Sequence, residues 1–194
     1  MFYDENMDLM ELFESADEGD VGAMIKCVSY ISIMGDEARD ILKERRTKYI
    51  KALVKKEVPA GLIWKADDLL DASLKQESVK AAMSCYYLAA LNGEYHGVEC
   101  IADMYYEGKG VDVDWSVARS IFWSAIRLFK SVGNEPSTLA FYKLGTIAEE
   151  SAEDRDDIEY AIYLYELAIE VAGEFASVDD YAVKAKEALW RLAA

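Results

Sequence analysis

Catalysis in this chain would have to begin at its one histidine, because a nucleophile of the serine or cysteine type needs a base beside it. His96 is the only imidazole among 194 residues, with Cys27, Cys85 and Cys100 as the only thiols. It lies in Tyr95-His96-Gly97 at an expected helix start, where it reads as a surface histidine or a partner contact. The cysteines are odd in number and widely spaced, which suits neither a disulfide framework nor a metal site. Cys27 and Cys85 fall on apolar faces and read as core. Gly108-Lys109-Gly110 lacks the G-K-[ST] ending and the preceding strand of a phosphate loop. Glu107, Asp112 and Asp114 lack the order of a calcium loop, so Asp114 reads as a helix cap. These residues point to no enzyme, no metal and no cofactor.

Recognition is the chemistry that remains, and the charges bear on it. The formal net charge is −16, yet residues 39–57 carry eight basic groups against Asp40, Glu44 and Glu57. The acidic field repels nucleic acid and anionic membranes and steers basic proteins or peptides inward. Its plainer role is to keep the protein soluble. Arg45, Arg46 and Lys48 can meet an acidic partner or pair with the acidic N-terminal helix, the second being favoured. No apolar run approaches the roughly 18–20 residues of a membrane span. The acidic start lacks the basic region of a signal peptide, so a cytoplasmic protein is expected.

The elements that would position such a surface come from an internal period. A ring three residues before an alanine recurs as Phe13/Ala16, Tyr49/Ala52, Tyr86/Ala89, Phe122/Ala125 and Tyr165/Ala168. The first three steps are 36, 37 and 36 residues and the last is 43. The longer step places extra residues near 131–136 or in the acidic run 151–159. Ala82, Ala118 and Ala161 add a small residue four positions before the ring, so one helical face reads small-large-small. Partner helices carry their own small-xxx-large step, as in Ala60/Trp64, Gly97/Ile101 and Ala140/Leu144. Gly19, Gly35, Gly93, Gly133 and Gly173 mark helix stops. Ten helices follow, over 4–17, 20–34, 37–56, 59–72, 76–91, 94–107, 114–131, 135–151, 155–172 and 178–193. Alternation with period two is nowhere sustained, so no strand is predicted. Each pair buries its apolar face only by stacking on the next, which gives one domain, 1–194.

Residues 81–126 carry a more specific pattern. Ala82, Tyr86, Ala89, Ala90 and Gly93 are followed by Gly97, Ile101, Ala102, Tyr105, Gly108, Gly110, Val111 and Asp114. This stretch resembles the Sel-one-like repeat, a relative of the tetratricopeptide repeat. The flanking copies are degenerate, and the glycine loop has no counterpart after Met34, Leu70 or Glu150. The resemblance implies an all-α fold, a right-handed α-α superhelix (solenoid) of helix pairs. It also implies adaptor or scaffold work, often in bacterial signalling, secretion and effector systems, without catalysis.

In that class the first helix of each pair lines the concave surface. With Ile101, Ala102 and Tyr105 committed to packing, the same helix presents His96, Glu99, Asp103 and Tyr106. The same offsets on the next first-type helix give Leu139, Tyr142, Thr146 and Glu149. An acidic, tyrosine-rich face of this kind suits a basic protein or peptide; the plainer alternative is a solvated face. Three functions remain: an adaptor binding such a partner, an immunity protein neutralising a basic bacterial toxin, or a structural subunit forming a homodimer through the solenoid ends. Leu189, Trp190 and Leu192 motivate the last.

Overall fold

A computed structural model describes residues 9–193, which fold into ten α-helices with no strand among them. They are α1 (Leu9–Glu18), α2 (Val21–Ile33), α3 (Asp36–Lys55), α4 (Pro59–Ala72) and α5 (Gln76–Leu91). Then come α6 (His96–Glu107), α7 (Trp115–Ser131), α8 (Thr138–Glu150), α9 (Arg155–Ala172) and α10 (Asp180–Ala193). The first helix was expected from residue 4; residues 4–8 lie outside those described. The helices gather into two compact units, Met1–Gly97 and Val98–Ala194, where composition shows no break. No helix among the described residues is long and apolar enough to cross a membrane.

The ring–alanine stripe builds the core of both units. In the first, Phe13, Ala16, Cys27, Val28, Ile31, Tyr49 and Leu53 pack into one cluster. In the second, Phe122, Ala140, Leu144, Ala161, Tyr165 and Ala168 do the same. All five rings are buried, and of the five alanines only Ala52 keeps some exposure. Each buried ring contributes on the order of 2 kcal/mol of apolar transfer energy, so the periodic face is what holds neighbouring helices together. Burial also pushes the Cys27 thiol up to about 11, and it lowers rather than raises that group's reactivity.

Two glycines show why the pattern needs them. At Gly97 a methyl group would collide with the Tyr86 carbonyl, so only glycine lets the backbone at this position lie this close to α5. Gly108 takes φ +72° after α6, and a Val113 methyl occupies the space that a side chain there would need. The chain then turns back through Asp114 N–H, which donates to the Tyr105 carbonyl at 2.9 Å. Asp114 caps α7 by accepting from Val117 N–H at 2.9 Å. Gly35 departs from expectation: its φ is −61° and it is the N-cap of α3 rather than a left-handed stop.

The long step of 43 resolves to the segment before α8. Helix α7 runs about a turn further past its ring than α5 does, and the linker after it is longer. Ser137, beyond Pro136, caps α8 by accepting from Ala140 N–H at 3.2 Å. In the α8–α9 pair the glycine loop is replaced by an earlier helix start, with Asp154 accepting from Asp157 N–H at 3.0 Å.

Candidate functional site

Helices α6, α8 and α10 bring a cluster of tyrosines and charges together in the second unit. At its centre is Lys143 of α8, whose side chain is only 9% exposed. Its ammonium sits 3.3 Å from Asp103 Oδ1, donates to Glu107 Oε1, and lies 3.9 Å above the Tyr106 ring centroid. Burial pulls the Lys143 pKa down, but the Glu107 hydrogen bond and the charges of Asp103 and Glu107 outweigh it, and the net shift is upward. The lysine therefore stays charged at neutral pH. Lys109 reaches the other Asp103 oxygen at 3.3 Å.

The tyrosines continue from there. Tyr106 stacks on Trp115 with centroids 5.9 Å apart, and Trp115 Nε1 donates to the Tyr106 carbonyl at 3.2 Å. Tyr142 lies between Tyr165 at 5.9 Å and Tyr181 at 5.7 Å. Tyr165 donates its hydroxyl to Glu149 at 2.7 Å, and Arg191 of α10 reaches both Glu149 oxygens at 2.7 Å. Thr146 donates to the Tyr142 carbonyl at 3.2 Å, and its oxygen lies 3.4 Å from the Tyr165 hydroxyl. Burial raises the phenol pKa of Tyr106, Tyr165 and Tyr181 first of all, so each remains a neutral hydrogen-bonding ring.

Of the eight residues that sequence places on this face, five come together: Asp103, Tyr106, Tyr142, Thr146 and Glu149. Glu99 does not face outward. It is 0% exposed and accepts from Ser137 Oγ at 2.6 Å, which ties α6 to the cap of α8. His96 is exposed at the start of α6, in the first unit. Leu139 packs against the core. The expected acidic character is also reduced, because Asp103, Glu107 and Glu149 are matched by Lys109, Lys143 and Arg191. Sequence reading passed over Lys143, Tyr165, Tyr181 and Arg191 as members of the cluster. Tyr165 was legible as a stripe ring, but its hydroxyl's reach to Glu149 was not.

The basic helix α3 resolves its two readings in the first unit. Arg45 and Lys48 pair with Asp17 of α1, at 3.4 and 2.6 Å. Arg46 turns the other way, to Asp68 of α4 at 2.7 Å and Ser32 of α2 at 3.3 Å.

No protein-family model matches the chain, and no curated protein matches it. Among solved structures it is similar to a protective antigen present in uropathogenic Escherichia coli strains and displaying an SLR (Sel-one-like repeat) fold. That likeness has a TM-score of 0.59 at 18% identity, over 89% of this chain and 36% of the antigen. The chain has the SLR fold. Its all-α architecture of solenoid-type helix pairs is thereby shared, including the degenerate copies. It spans about a third of the antigen's length. Within the SLR fold, α6, α8 and α10 are the helices that carry the tyrosine cluster.

Proposed function

We propose that this chain is a non-catalytic, cytoplasmic protein-binding module whose recognition surface is the tyrosine-rich face of α6, α8 and α10. The observation that carries this reading is the row Tyr106, Tyr142 and Tyr181, partly exposed and fixed by stacking and by Lys143. Tyrosines held in this way give contact area at low entropic cost. The SLR fold supports a protein partner in general terms.

The partner class is a basic protein or peptide. Lys109 and Arg191 are 52% and 64% exposed, and exposed pairs of this kind contribute only about 0–1 kcal/mol. A partner's arginine can displace them from Asp103 and Glu149 at little cost, while buried Lys143 stays in place. The net charge of −16 favours that encounter. The test is to immobilise the wild-type chain and a Tyr142→Ala/Tyr181→Ala variant in an extract of the source cells. The expected result is a basic protein held by the wild type at low salt, released at high salt, and lost by the variant. Identical capture by the two proteins overturns the reading.

A second reading, self-association, rests on Trp190, which is 79% exposed on α10. Sedimentation distinguishes it: a concentration-dependent dimer that disappears in Trp190→Ser supports it, and a monomer at all concentrations removes it.

A further inference from the structure

The α8–α9 pair departs from the signature of the α6–α7 pair at one further place. Helices α8 and α9 follow α6 and α7 at a constant offset of 43 residues, set by Phe122 and Tyr165. The signature tyrosine, Tyr105, packs against the core, and its counterpart is Ala148. Losing a ring without collapse of the surroundings leaves a void. A hollow of about 180 Å³ lies there, walled by Trp123 of α7, Leu144 and Ala148 of α8, and Tyr160 and Leu164 of α9, with the Tyr160 ring on its exposed side. The hollow opens to solvent and its lining is of mixed polar and apolar character, and its volume is near that of the roughly 150 Å³ cavities that hold a benzene-sized ring.

The mouth of this hollow is polar. Ser151 and Asp157 are engaged with their own backbone, donating to the Ile147 carbonyl at 2.7 Å and accepting from Glu153 N–H at 2.9 Å. Arg119, also at the mouth, is exposed and has no partner among the described residues. A guanidinium in that position can stack on the face of an entering ring. Asp157 belongs to the acidic run 153–159, in which Arg155 pairs with Glu159 while Glu153 and Asp156 are exposed.

We infer that this hollow is an anchor pocket for one aromatic side chain of a protein partner, flanked there by lysine or arginine. The ring enters where the repeat's own tyrosine is missing, Arg119 covers it, and the flanking cations meet Glu153 and Asp156. The inference rests on the protein-binding reading above but uses a different surface, and its test does not require the natural partner.

Isotope-labelled chain is titrated with p-cresol and with the peptides Ac-Lys-Tyr-Lys-NH₂ and Ac-Lys-Ala-Lys-NH₂. Saturable shifts centred on the amides of Trp123, Leu144, Ala148 and Leu164 are expected with p-cresol and the tyrosine peptide. The alanine peptide is expected to bind roughly tenfold more weakly or not at all. Ala148→Tyr refills the hollow, so it should melt higher than wild type and lose both ligands; Ala148→Leu serves if that variant does not fold. Unsaturable shifts, equal binding of the two peptides, or undiminished binding in both refilled variants overturn the inference. Binding of p-cresol without the tyrosine peptide also overturns it, by assigning the hollow to a free small aromatic. Failure of the Tyr142/Tyr181 face to capture a protein leaves these titrations unchanged, so the two readings fail separately.

Discussion

Asp67 in the first unit and Asp103 in the second stand at the same place in successive repeats, each 19 residues before a stripe ring. In the first unit the ring is Tyr86, and its hydroxyl donates to Asp67 Oδ1 at 2.6 Å. In the second the ring is Phe122, which has no hydroxyl, and Asp103 Oδ1 is buried without a hydrogen bond. A third copy repeats this direction, with Tyr165 pointing its hydroxyl at Thr146, again 19 residues earlier, whereas Tyr49 of α3 sends its hydroxyl to Asp17, 32 residues earlier. One missing oxygen atom therefore separates a carboxylate satisfied within its own helix pair from one that turns to lysines. Lys143 and Lys109 take the place of the hydroxyl, and a structural tie becomes the centre of a charged, tyrosine-lined face. The position next to it decides whether a repeat closes on itself or has polar capacity left for a partner.

The largest effect should come from removing the lysine that compensates. Lys143→Met keeps much of the packing but leaves Asp103 and Glu107 without their buried cation. It should cost roughly 2–4 kcal/mol in urea unfolding, since a broken buried pair leaves uncompensated charge behind. Asp67 is held by the Tyr86 hydroxyl rather than by a buried lysine, so Tyr86→Phe should cost less, about 1.5 kcal/mol, the lower end for a hydrogen bond to a charged group. Equal costs would mean that the two aspartates are held alike, and the comparison would fail.

Phe122→Tyr tests it in the opposite direction. If the ring points at Asp103 as Tyr86 points at Asp67, the added hydroxyl gives Oδ1 its donor and stabilises by about 1 kcal/mol. In the Lys143→Met background the gain should be larger, which a double-mutant cycle would report as coupling. A buried hydroxyl that finds no acceptor would instead destabilise by about 1–3 kcal/mol, and the shared geometry would be refuted.

The sequence carries the periodic part of this contrast and omits the part that depends on packing. Rings at steps of 36 and 37 are visible because one face of every helix must be apolar, and the helix ends follow from capping residues such as Asp114 and Pro59. The step of 43 left two places open, and only the longer α7 and its linker decide between them. Lys143, between Tyr142 and Leu144, reads as a surface lysine, because the carboxylates that enclose it come from α6, 36 to 40 residues away. Glu99 reads as exposed for the converse reason: the Ser137 hydroxyl that buries it arrives from another helix's cap. The spacing of 19 was present throughout, but a spacing acquires meaning only once a hydroxyl is seen to span it.

The smallest effect is a difference in slope with pH. Burial raises the Asp67 pKa above its ordinary 3.8, against the Tyr86 hydrogen bond and the charge of His96, which pull it down. The folded state therefore holds a proton that the unfolded chain releases, over a window that opens at the ordinary value and closes above it. Stability from that proton is present at the acid end and is lost as pH rises through the window. Asparagine at 67 can still accept the Tyr86 hydroxyl but does not titrate, so Asp67→Asn should gain on wild type as pH rises. Asp17 is the opposite case: the hydrogen bond from Lys48 above all lowers its pKa, against burial. Its contribution is present above the ordinary value and is lost as pH falls through the lower one, so Asp17→Asn should lose ground to wild type as pH rises. Melting curves of the three proteins from acid to neutral pH should diverge in opposite senses. Parallel curves for wild type and Asp67→Asn would show that burial does not restrain this carboxyl, and Asp103 would then need another reason for turning to its lysines.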